Sequence, residues 1–268
     1  MKFKEKGYTF FVYSAEVPIL KEFGLDENFL KNLPNYFDNH GQTIHKARNE
    51  IKVFDLNGHK INVKKYAIAP IVNRILYSLG IRKPKCQRAF LNAEKILKAG
   101  FNTPKPLAFI IQRKNGLIYD SYFISEQLEN VSQLGHNCKN VSLIKAFALF
   151  TAQLHEKGLE STDYTPGNIL YSKQDSSYKF YLVDINRFKF RNKPLTIYQA
   201  PKTLYLPVST ETRLKLFISC YAKHRNFPKE YLINKSLFLK RYNGLYQQVK
   251  RILKKIPGAG KLTGRSVK

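Results

Sequence analysis

Alternating apolar and polar positions predict β-strands in the first half of the chain. Glu50–Leu56 alternates, Asn57-Gly58 has the composition of a tight turn, and Ile61–Tyr66 alternates again, which predicts a β-hairpin. Two more strands are expected at Pro106–Gln112 and Leu117–Ser125, on either side of a second Asn-Gly turn. The first half is therefore predicted to be mainly a sheet.

Apolar residues at helical spacing predict helices in the rest of the chain. One helix, Arg88–Ala99, is inserted among the strands and is expected to end at Gly100. The second half turns helical, with one helix at Ser142–Lys157, another that Ser209 can cap, and further helical sequence over Lys229–Ile256. A sheet with one inserted helix followed by a mainly helical half indicates the α+β fold class.

The composition is that of a folded, strongly basic protein. Of the 268 residues 43% are apolar and 13% aromatic, which excludes a disordered or fibrous chain. The 46 Lys and Arg outnumber the 19 Asp and Glu, so the formal net charge is +27 and polyanions are the expected partners. The three cysteines are far apart, which favours a reducing compartment and excludes a disulfide framework or a Cys-rich zinc site.

Positive charge is concentrated in two segments of the chain. Residues 60–88 contain eight Lys or Arg and no acidic residue, and residues 201–268 contain sixteen Lys or Arg and two Glu. Within the first segment, Tyr66–Ile81 carries aliphatic side chains on one side and Arg74 on the other. Two interpretations stay open for it: a helix in the interface of an anionic membrane, or an ordinary core helix on a solvated basic face.

The same sequence limits the location and the partners. No apolar run approaches the ~20 residues that a bilayer-spanning helix needs. We therefore expect a cytoplasmic protein that is peripheral to the inner face of the cytoplasmic membrane. No helix-turn-helix, zinc-finger or aromatic RNA-binding motif is recognisable, so nucleic acid is not an expected partner.

The residues with the clearest chemistry lie in a loop and at the end of a later strand. Asp163 lies in a loop after the helix at 142–157, Asn168 opens a predicted short strand, and Asp184 ends the next strand. In phosphoryl transfer one Asp orients the attacking hydroxyl, while an Asn and a second Asp hold Mg²⁺ against the nucleotide phosphates. The spacing Asp-x-x-x-x-Asn is weak evidence alone, and the alternative is that both Asp residues only form a turn and a strand end.

The sequences around these residues resemble a known family. Asp163-Tyr-Thr-Pro-Gly-Asn168-Ile-Leu and Leu182-Val-Asp184-Ile-Asn-Arg are similar to the lipopolysaccharide core kinases, the Kdo- and heptose-kinase group of the protein-kinase-like superfamily. The resemblance covers approximately residues 41–191. It implies a bilobal kinase fold, ATP with Mg²⁺ as cofactors, and transfer of phosphate to a sugar hydroxyl of lipid A–core lipopolysaccharide or another acidic glycan. By this resemblance Asp163 is the catalytic base, and Asn168 and Asp184 are the metal ligands.

The resemblance also implies nucleotide-binding residues in the first half. Lys64 is expected to contact the ATP phosphates, with Lys65 as its rival because strand alternation lets only one of the two face the cleft. Glu94 is the local candidate for an ion pair with that lysine, or else an exposed charge on its helix. Glu126 and Leu128 lie on the crossover after the last strand, where backbone groups meet adenine.

The sequence departs from the kinase pattern at several positions. The His that usually lies two residues before the base is replaced by Ser161, and Gly41 is the only glycine that could belong to a phosphate-covering loop before Gly58. Asp184 is not followed by Phe-Gly, and no Ala-Pro-Glu segment follows, which disfavours a kinase of protein substrates. Two alternatives remain: a small-molecule kinase of the same fold, and a pseudokinase or polyanion-binding module.

The resulting domain prediction has four parts. An N-terminal extension, residues 1–40, contains a helix expected to end at Pro34. A sheet lobe (41–128) would cover the nucleotide, a helical lobe (129–256) would carry the catalytic loop, and a basic tail (257–268) is expected to be disordered.

Overall fold

The first half of the chain folds as the seven-stranded antiparallel sheet at the centre of one compact unit. The computed structural model describes residues 1–5, 7–135, 140–175 and 177–255. The strands are β1 (Lys2–Glu5), β2 (Tyr8–Ser14), β3 (Gln42–Lys46), β4 (Glu50–Leu56), β5 (His59–Tyr66), β6 (Pro106–Lys114) and β7 (Leu117–Glu126). They lie in the order β1-β2-β6-β7-β5-β4-β3, and every neighbouring pair is antiparallel.

Four helices pack in this first unit, which comprises residues 1–132, 170–172 and 179–188. They are α1 (Val17–Glu22), α2 (Glu27–Asn39), α3 (Ile71–Ser78) and α4 (Lys85–Lys98). One apolar cluster joins α1 and α2 to buried strand residues such as Ile61 and Val63. A second cluster joins Phe90 of α4 to Tyr66 and Phe109. Because side chains alternate along β5, its odd-numbered residues enter the first cluster and Tyr66 the second.

The second unit is helical at its centre. It comprises residues 133–169, 173–178 and the chain from residue 189 onward. Its helices are α5 (Val141–Glu156), α6 (Pro201–Leu204), α7 (Glu211–Arg225) and α8 (Lys229–Lys255). The rings of Phe147 on α5 and Phe217 on α7 stack with their centroids 5.2 Å apart. The ring of Tyr164, in the loop after β9, also stacks on Phe147, with a centroid distance of 5.6 Å.

Short strands complete the chain. They are β8 (Ser132–Gln133), β9 (Leu159–Ser161), β10 (Ile169–Gln174), β11 (Ser177–Leu182) and β12 (Phe188–Phe190). β10 and β11 are neighbours in a three-stranded sheet that also contains β8, and β9 pairs with β12. None of the helices in the described part of the chain has the length and apolar content of a bilayer-spanning segment.

The structure confirms the α+β class and most predicted elements. The hairpin turn is formed by Asn57 and Gly58, both with positive φ, as a tight two-residue turn requires. The helix predicted at Arg88–Ala99 begins three residues earlier, directly after Pro84. Pro is favoured at the start of a helix because it has no N–H to leave unpaired there.

Two local predictions were wrong. Helix α2 does not end at Pro34 but continues through it to Asn39, because buried Leu33 and Phe37 hold both sides of the proline in the core. Thr210, not Ser209, is the N-cap residue of α7. The predicted basic tail, residues 257–268, lies outside the described residues.

Candidate active site

A lysine and an aspartate that are 120 residues apart in sequence form an ion pair in the first unit. The Nζ atom of Lys64 lies 2.8 Å from Oδ1 of Asp184. The lysine side chain is 13% exposed and the aspartate side chain 34%, so a partly buried ammonium reaches a carboxylate that solvent can still approach. A charge-assisted hydrogen bond of this length is among the stronger polar contacts in a protein.

Asp184 is held in an unusual backbone conformation. Its φ and ψ are 50° and 47°, in the left-handed region that non-glycine residues rarely adopt. The amide of Asn186 donates a 2.6 Å hydrogen bond to the same Oδ1 that Lys64 binds. The amide of Asn92 on α4 donates to the carbonyl oxygen of Ile185 at 2.9 Å. These contacts fix the carboxylate at the end of β11, and a strained residue fixed in this way is typical of functional sites.

Strand alternation separates the two rival lysines. Lys64 faces Asp184, whereas Lys65 points to the other side of β5 and pairs with Asp38 and Asp120, both at 3.2 Å. The structure therefore places only Lys64 beside a predicted site residue.

The second unit contains the loop with Asp163. The backbone N–H of Asp163 donates to Oγ of Ser161 at 3.2 Å, and its carbonyl oxygen accepts from the backbone N–H of Thr165 at 2.9 Å. The side-chain amide of Asn168 donates to the same carbonyl oxygen, also at 2.9 Å. Ser161, at the position where the usual histidine is absent, thus contributes to the shape of the loop with its hydroxyl group.

Asn168 belongs to the loop and not to the strand that was predicted to begin there. Pro166–Asn168 forms a turn of 3-10 helix, and β10 begins at Ile169. Because its Nδ2 is used to close the loop, Asn168 offers Oδ1 as the remaining polar atom of its side chain. That oxygen makes no hydrogen bond with any residue that the structure describes.

The structure does not pair Glu94 with Lys64. Asn92 is the α4 residue that touches the Asp184 segment, and residues two positions apart project ~200° from each other around a helix. Glu94 therefore projects from nearly the opposite side of α4, and it forms no ion pair with any described residue.

A cleft of about 780 Å³ lies along the edge of the sheet in the first unit. It is lined by residues of β3 and β4 and by Gln127, Leu128 and Glu129 after β7. Leu128 thus lines the cleft. Glu126 does not belong to the lining: its backbone N–H donates to the carbonyl oxygen of Lys105 at 2.9 Å, and its carboxylate accepts from the Lys105 N–H at 3.2 Å.

One face of β5 connects this cleft with Asp184. Lys60 lines the cleft, Asn62 donates to Oε1 of Gln127 at 2.9 Å, and Lys64 reaches Asp184. These even-numbered residues lie on the same side of the strand, about 13 Å from first to last at the usual strand rise. The cleft and the ion pair therefore lie along a single polar strip.

Three cations contribute to the electrostatics around this ion pair, Lys85, Arg48 and Arg187, and the sequence analysis assigned no role to Lys85. Lys85, at the first position of α4, lies with its ammonium 6.0 Å from the centre of the Tyr66 ring. Burial, together with repulsion from Arg48 and Arg187, lowers the pKa of Lys85 to about 8. Lys85 belongs to the run of eight basic residues at 60–88, but that run does not show which of its members lies beside Lys64.

The oxygen donors fit a hard divalent cation. Asp184 provides a carboxylate and Asn168 an amide oxygen, the ligand types that Mg²⁺ prefers. The described residues hold no cluster of three or more His, Cys, Asp or Glu side chains that would bind a metal without further ligands. A magnesium ion bound by either of these side chains would need phosphate oxygens and water to complete its coordination.

Residues 43–196, more than half of the chain, match the sequence profile of the lipopolysaccharide kinase (Kdo/WaaP) family. The chain belongs to this family. Among curated relatives, a 3-deoxy-D-manno-octulosonic acid kinase of Haemophilus influenzae (strain PittGG) is 28% identical over 99 residues, or 35% of this chain. The match spans 41% of that relative's length.

Solved structures of kinases share the fold of this lipopolysaccharide kinase family member. WaaP in complex with acyl carrier protein matches with a TM-score of 0.54 and 14% identity, covering 91% of this chain and 98% of WaaP. A microcompartment-associated aminopropanol kinase matches with a TM-score of 0.50 and 12% identity, covering 81% and 87% of the two chains. The fold is therefore protein-kinase-like, as the resemblance implied.

Proposed function

We propose that this protein is an ATP-dependent kinase that phosphorylates a sugar hydroxyl of lipid A–core lipopolysaccharide. The observation that carries the proposal is the Lys64–Asp184 ion pair. A strand lysine and a carboxylate at a strand end are the parts that a kinase-like site uses to hold nucleotide phosphates and their metal ion. Family membership gives the acceptor class.

The proposal assigns a role to most of the predicted site residues. Lys64 binds phosphate oxygens, and Asp184 and Asn168 supply oxygen ligands to Mg²⁺, which would bridge the nucleotide phosphates when bound. Asp163 accepts the proton of the acceptor hydroxyl, or orients it for in-line attack. Leu128 lies beside adenine, while Glu126 positions the crossover that carries it. Glu94 is left without a proposed contact to Lys64.

The domain boundaries follow from these tasks. The sheet lobe, about residues 41–128, would cover the nucleotide, and the helical lobe, about 129–256, would carry Asp163 and Asn168. Residues 1–40 supply two strands and two helices to the first unit, so the extension supports the sheet of the nucleotide-covering lobe.

The acceptor we favour is Kdo, with heptose as the alternative. The favoured sugar rests on the Haemophilus relative, whose name specifies a Kdo kinase. An acidic sugar of a phosphorylated lipid also suits a protein with a formal net charge of +27, because the protein's field attracts anions. A cationic small-molecule acceptor, the rival within the same fold, is disfavoured by this charge.

We further propose that the protein works at the anionic inner face of the cytoplasmic membrane. Six aliphatic side chains in and around α3 are 41–70% exposed: Ile68, Ile71, Val72, Ile75, Leu79 and Ile81. Arg74, on the same helix, donates to the carbonyl oxygen of Ile118 at 2.8 Å and so anchors its other side to the sheet. An exposed aliphatic face in a basic segment is the pattern of an interfacial helix.

The decisive experiment compares the lipopolysaccharide of cells that carry the active gene, no gene, or a variant. Asp163→Asn removes the proposed base but keeps the size of the side chain, and we expect loss of one phosphate per lipopolysaccharide molecule by mass spectrometry. In purified protein the rate of transfer should fall at least a hundredfold. Asp175→Asn, in the exposed turn after β10, is the matched control and should transfer normally.

Two results would contradict the proposal. Normal phosphorylation by Asp163→Asn would show that Asp163 is not the catalytic base. An unchanged lipopolysaccharide mass in cells without the gene would show that lipopolysaccharide is not the acceptor. The pseudokinase alternative predicts that MgATP does not raise the melting temperature of the wild-type protein, whereas the kinase proposal predicts a clear rise.

A further inference from the structure

Cations outnumber carboxylates around the Lys64–Asp184 ion pair. Lys85, Arg48 and Arg187 all contribute to the electrostatics of this region, and the one carboxylate acting on Lys85 is Asp184. That carboxylate already binds Lys64 at 2.8 Å. The local charge is therefore strongly positive even before the rest of the basic protein is counted.

Among these cations, Lys85 is the half-buried one for which the described residues provide no hydrogen bond or ion pair. Its side chain is half-buried, yet it makes no hydrogen bond or ion pair with any residue that the structure describes. Its contact is with the ring of Tyr66, whose other cation is Lys64: the two ammonium groups lie 6.0 and 5.3 Å from the ring centre. Keeping a half-buried ammonium near other cations costs stability unless an anion compensates it.

The secondary structure around Lys85 adds to the positive potential. Lys85 is the first residue of a fourteen-residue helix that has no acidic residue in its first turn. The free N–H groups at that end of α4 carry partial positive charge. Arg48 lies exposed in the short turn between β3 and β4.

We propose that Lys85 is a second phosphate-binding lysine of the nucleotide site. This inference rests on the proposed kinase function and deepens it. Lys64 and Lys85 approach the phosphates from two elements, β5 and α4, across the ring of Tyr66. In this protein α4 thus serves the nucleotide directly through a cation, and an acidic partner for Lys64 on the helix is not needed.

Direct binding measurements on the full-length protein test this assignment without relying on catalysis. We expect Lys85→Met to weaken MgATP at least tenfold in isothermal titration calorimetry, and Lys85→Arg to stay within about threefold of wild type. Adenosine, which has no phosphate, should bind wild type and Lys85→Met equally. Lys83→Met is the matched control, because it removes an exposed charge two residues away and should leave MgATP affinity unchanged.

The stability of the nucleotide-free protein gives a second readout. Removing an uncompensated ammonium should leave the melting temperature of Lys85→Met equal to or above that of wild type, whereas a merely structural lysine would lower it when lost. Unchanged MgATP affinity in Lys85→Met with a raised KM for lipopolysaccharide would assign Lys85 to the acceptor and overturn the inference. If wild type binds no MgATP at all, it is the proposed kinase function that fails.

Discussion

At the residue scale, the two neighbouring lysines of β5 have different tasks that one experiment can separate. Lys64→Met should weaken MgATP at least tenfold, because it removes the ammonium that lies at Asp184. Lys65→Met should leave that affinity unchanged but lower the free energy of unfolding, because the largely buried Asp120 loses its partner. Calorimetry and urea unfolding of both variants check this, and a reversed pattern would show that Lys65 is the nucleotide ligand.

A second residue-scale prediction concerns His155 at the end of α5. The ring is buried, its Nδ1 lies 2.9 Å from the hydroxyl of Tyr221, and burial lowers its pKa to about 3. The histidine is thus a neutral core residue and does not act as a charge at the helix end. Between pH 6.5 and about 3 the unfolded chain binds a proton that the folded chain excludes, so stability is full above pH 6.5 and falls as the pH decreases.

This linkage predicts a measurable difference between wild type and His155→Asn. The variant should be less stable at pH 7, but the gap in unfolding free energy should shrink by roughly 2 kcal/mol by pH 4.5, since only wild type has the buried imidazole. Urea unfolding at the two pH values provides the measurement. A gap that stays constant would mean that His155 has the same pKa in the folded and the unfolded chain, and that burial does not keep it neutral.

The sequence predicted only some of the residues of the candidate site. Asp163, Asn168 and Asp184 stood out because their types and order suit phosphoryl transfer, and the family resemblance pointed to Lys64 with Lys65 left as a rival. Lys85 and Asn92 could not be identified in this way. Their contacts depend on how α4 rotates against the sheet, and a count of charges along the chain does not contain that rotation.

At the element scale, the start of the segment that leads to Asp163 depends on one glycine. Gly158 has a φ of +73°, and a Cβ atom at this position would collide with the carbonyl oxygen of Arg191. The Arg191 N–H in turn donates to the Gly158 carbonyl oxygen at 2.9 Å. The end of α5 and the segment after β12 are therefore in backbone contact at a position where no side chain fits.

Replacing this glycine should affect stability and activity together. We expect Gly158→Ala to lower the free energy of unfolding by about 3 kcal/mol or more, because both the backbone conformation and the space oppose a side chain. Gly244→Ala, in the middle of α8 with open space around it, is the matched control and should raise stability by up to about 1 kcal/mol. Thermal unfolding distinguishes the two; equal effects would contradict the assigned contact.

Local sequence rules predicted some boundaries of helices and strands correctly and others incorrectly. The β4–β5 hairpin was predictable because alternation and an Asn-Gly turn agree with each other. The passage of α2 through Pro34 was not, because the local rule that proline ends helices was outweighed by buried residues on both sides. The contribution of β1 and β2 to the large sheet also depends on long-range pairing, which a local pattern does not specify.

At the scale of the whole molecule, charge and exposed apolar surface predict membrane binding. The protein should bind vesicles that contain anionic phospholipid and not vesicles of phosphatidylcholine alone, and binding should weaken steeply with salt. The double variant Val72→Gln, Leu79→Gln should bind anionic vesicles at least tenfold more weakly at the same salt concentration, because it removes aliphatic surface from α3 without changing charge.

Vesicle co-sedimentation with a matched control checks this prediction. The double variant Tyr242→Gln, Val249→Gln removes exposed apolar surface from α8 to a similar extent and tests whether α3 is special. Equal loss in both double variants would assign the interaction to apolar surface in general. Equal binding to neutral and anionic vesicles would contradict the electrostatic part of the argument.

The ion pair between β5 and the end of β11 has a consequence for the order in which ligands load. Without nucleotide, Lys64 already occupies one oxygen of Asp184. A free divalent ion arriving alone would have to share this carboxylate with an ammonium group, whose charge repels it, and only water would complete its coordination. A nucleotide that arrives with its metal offers the lysine new phosphate oxygens at the moment the carboxylate is released. The resting protein should therefore be indifferent to millimolar magnesium and respond only to the metal–nucleotide complex.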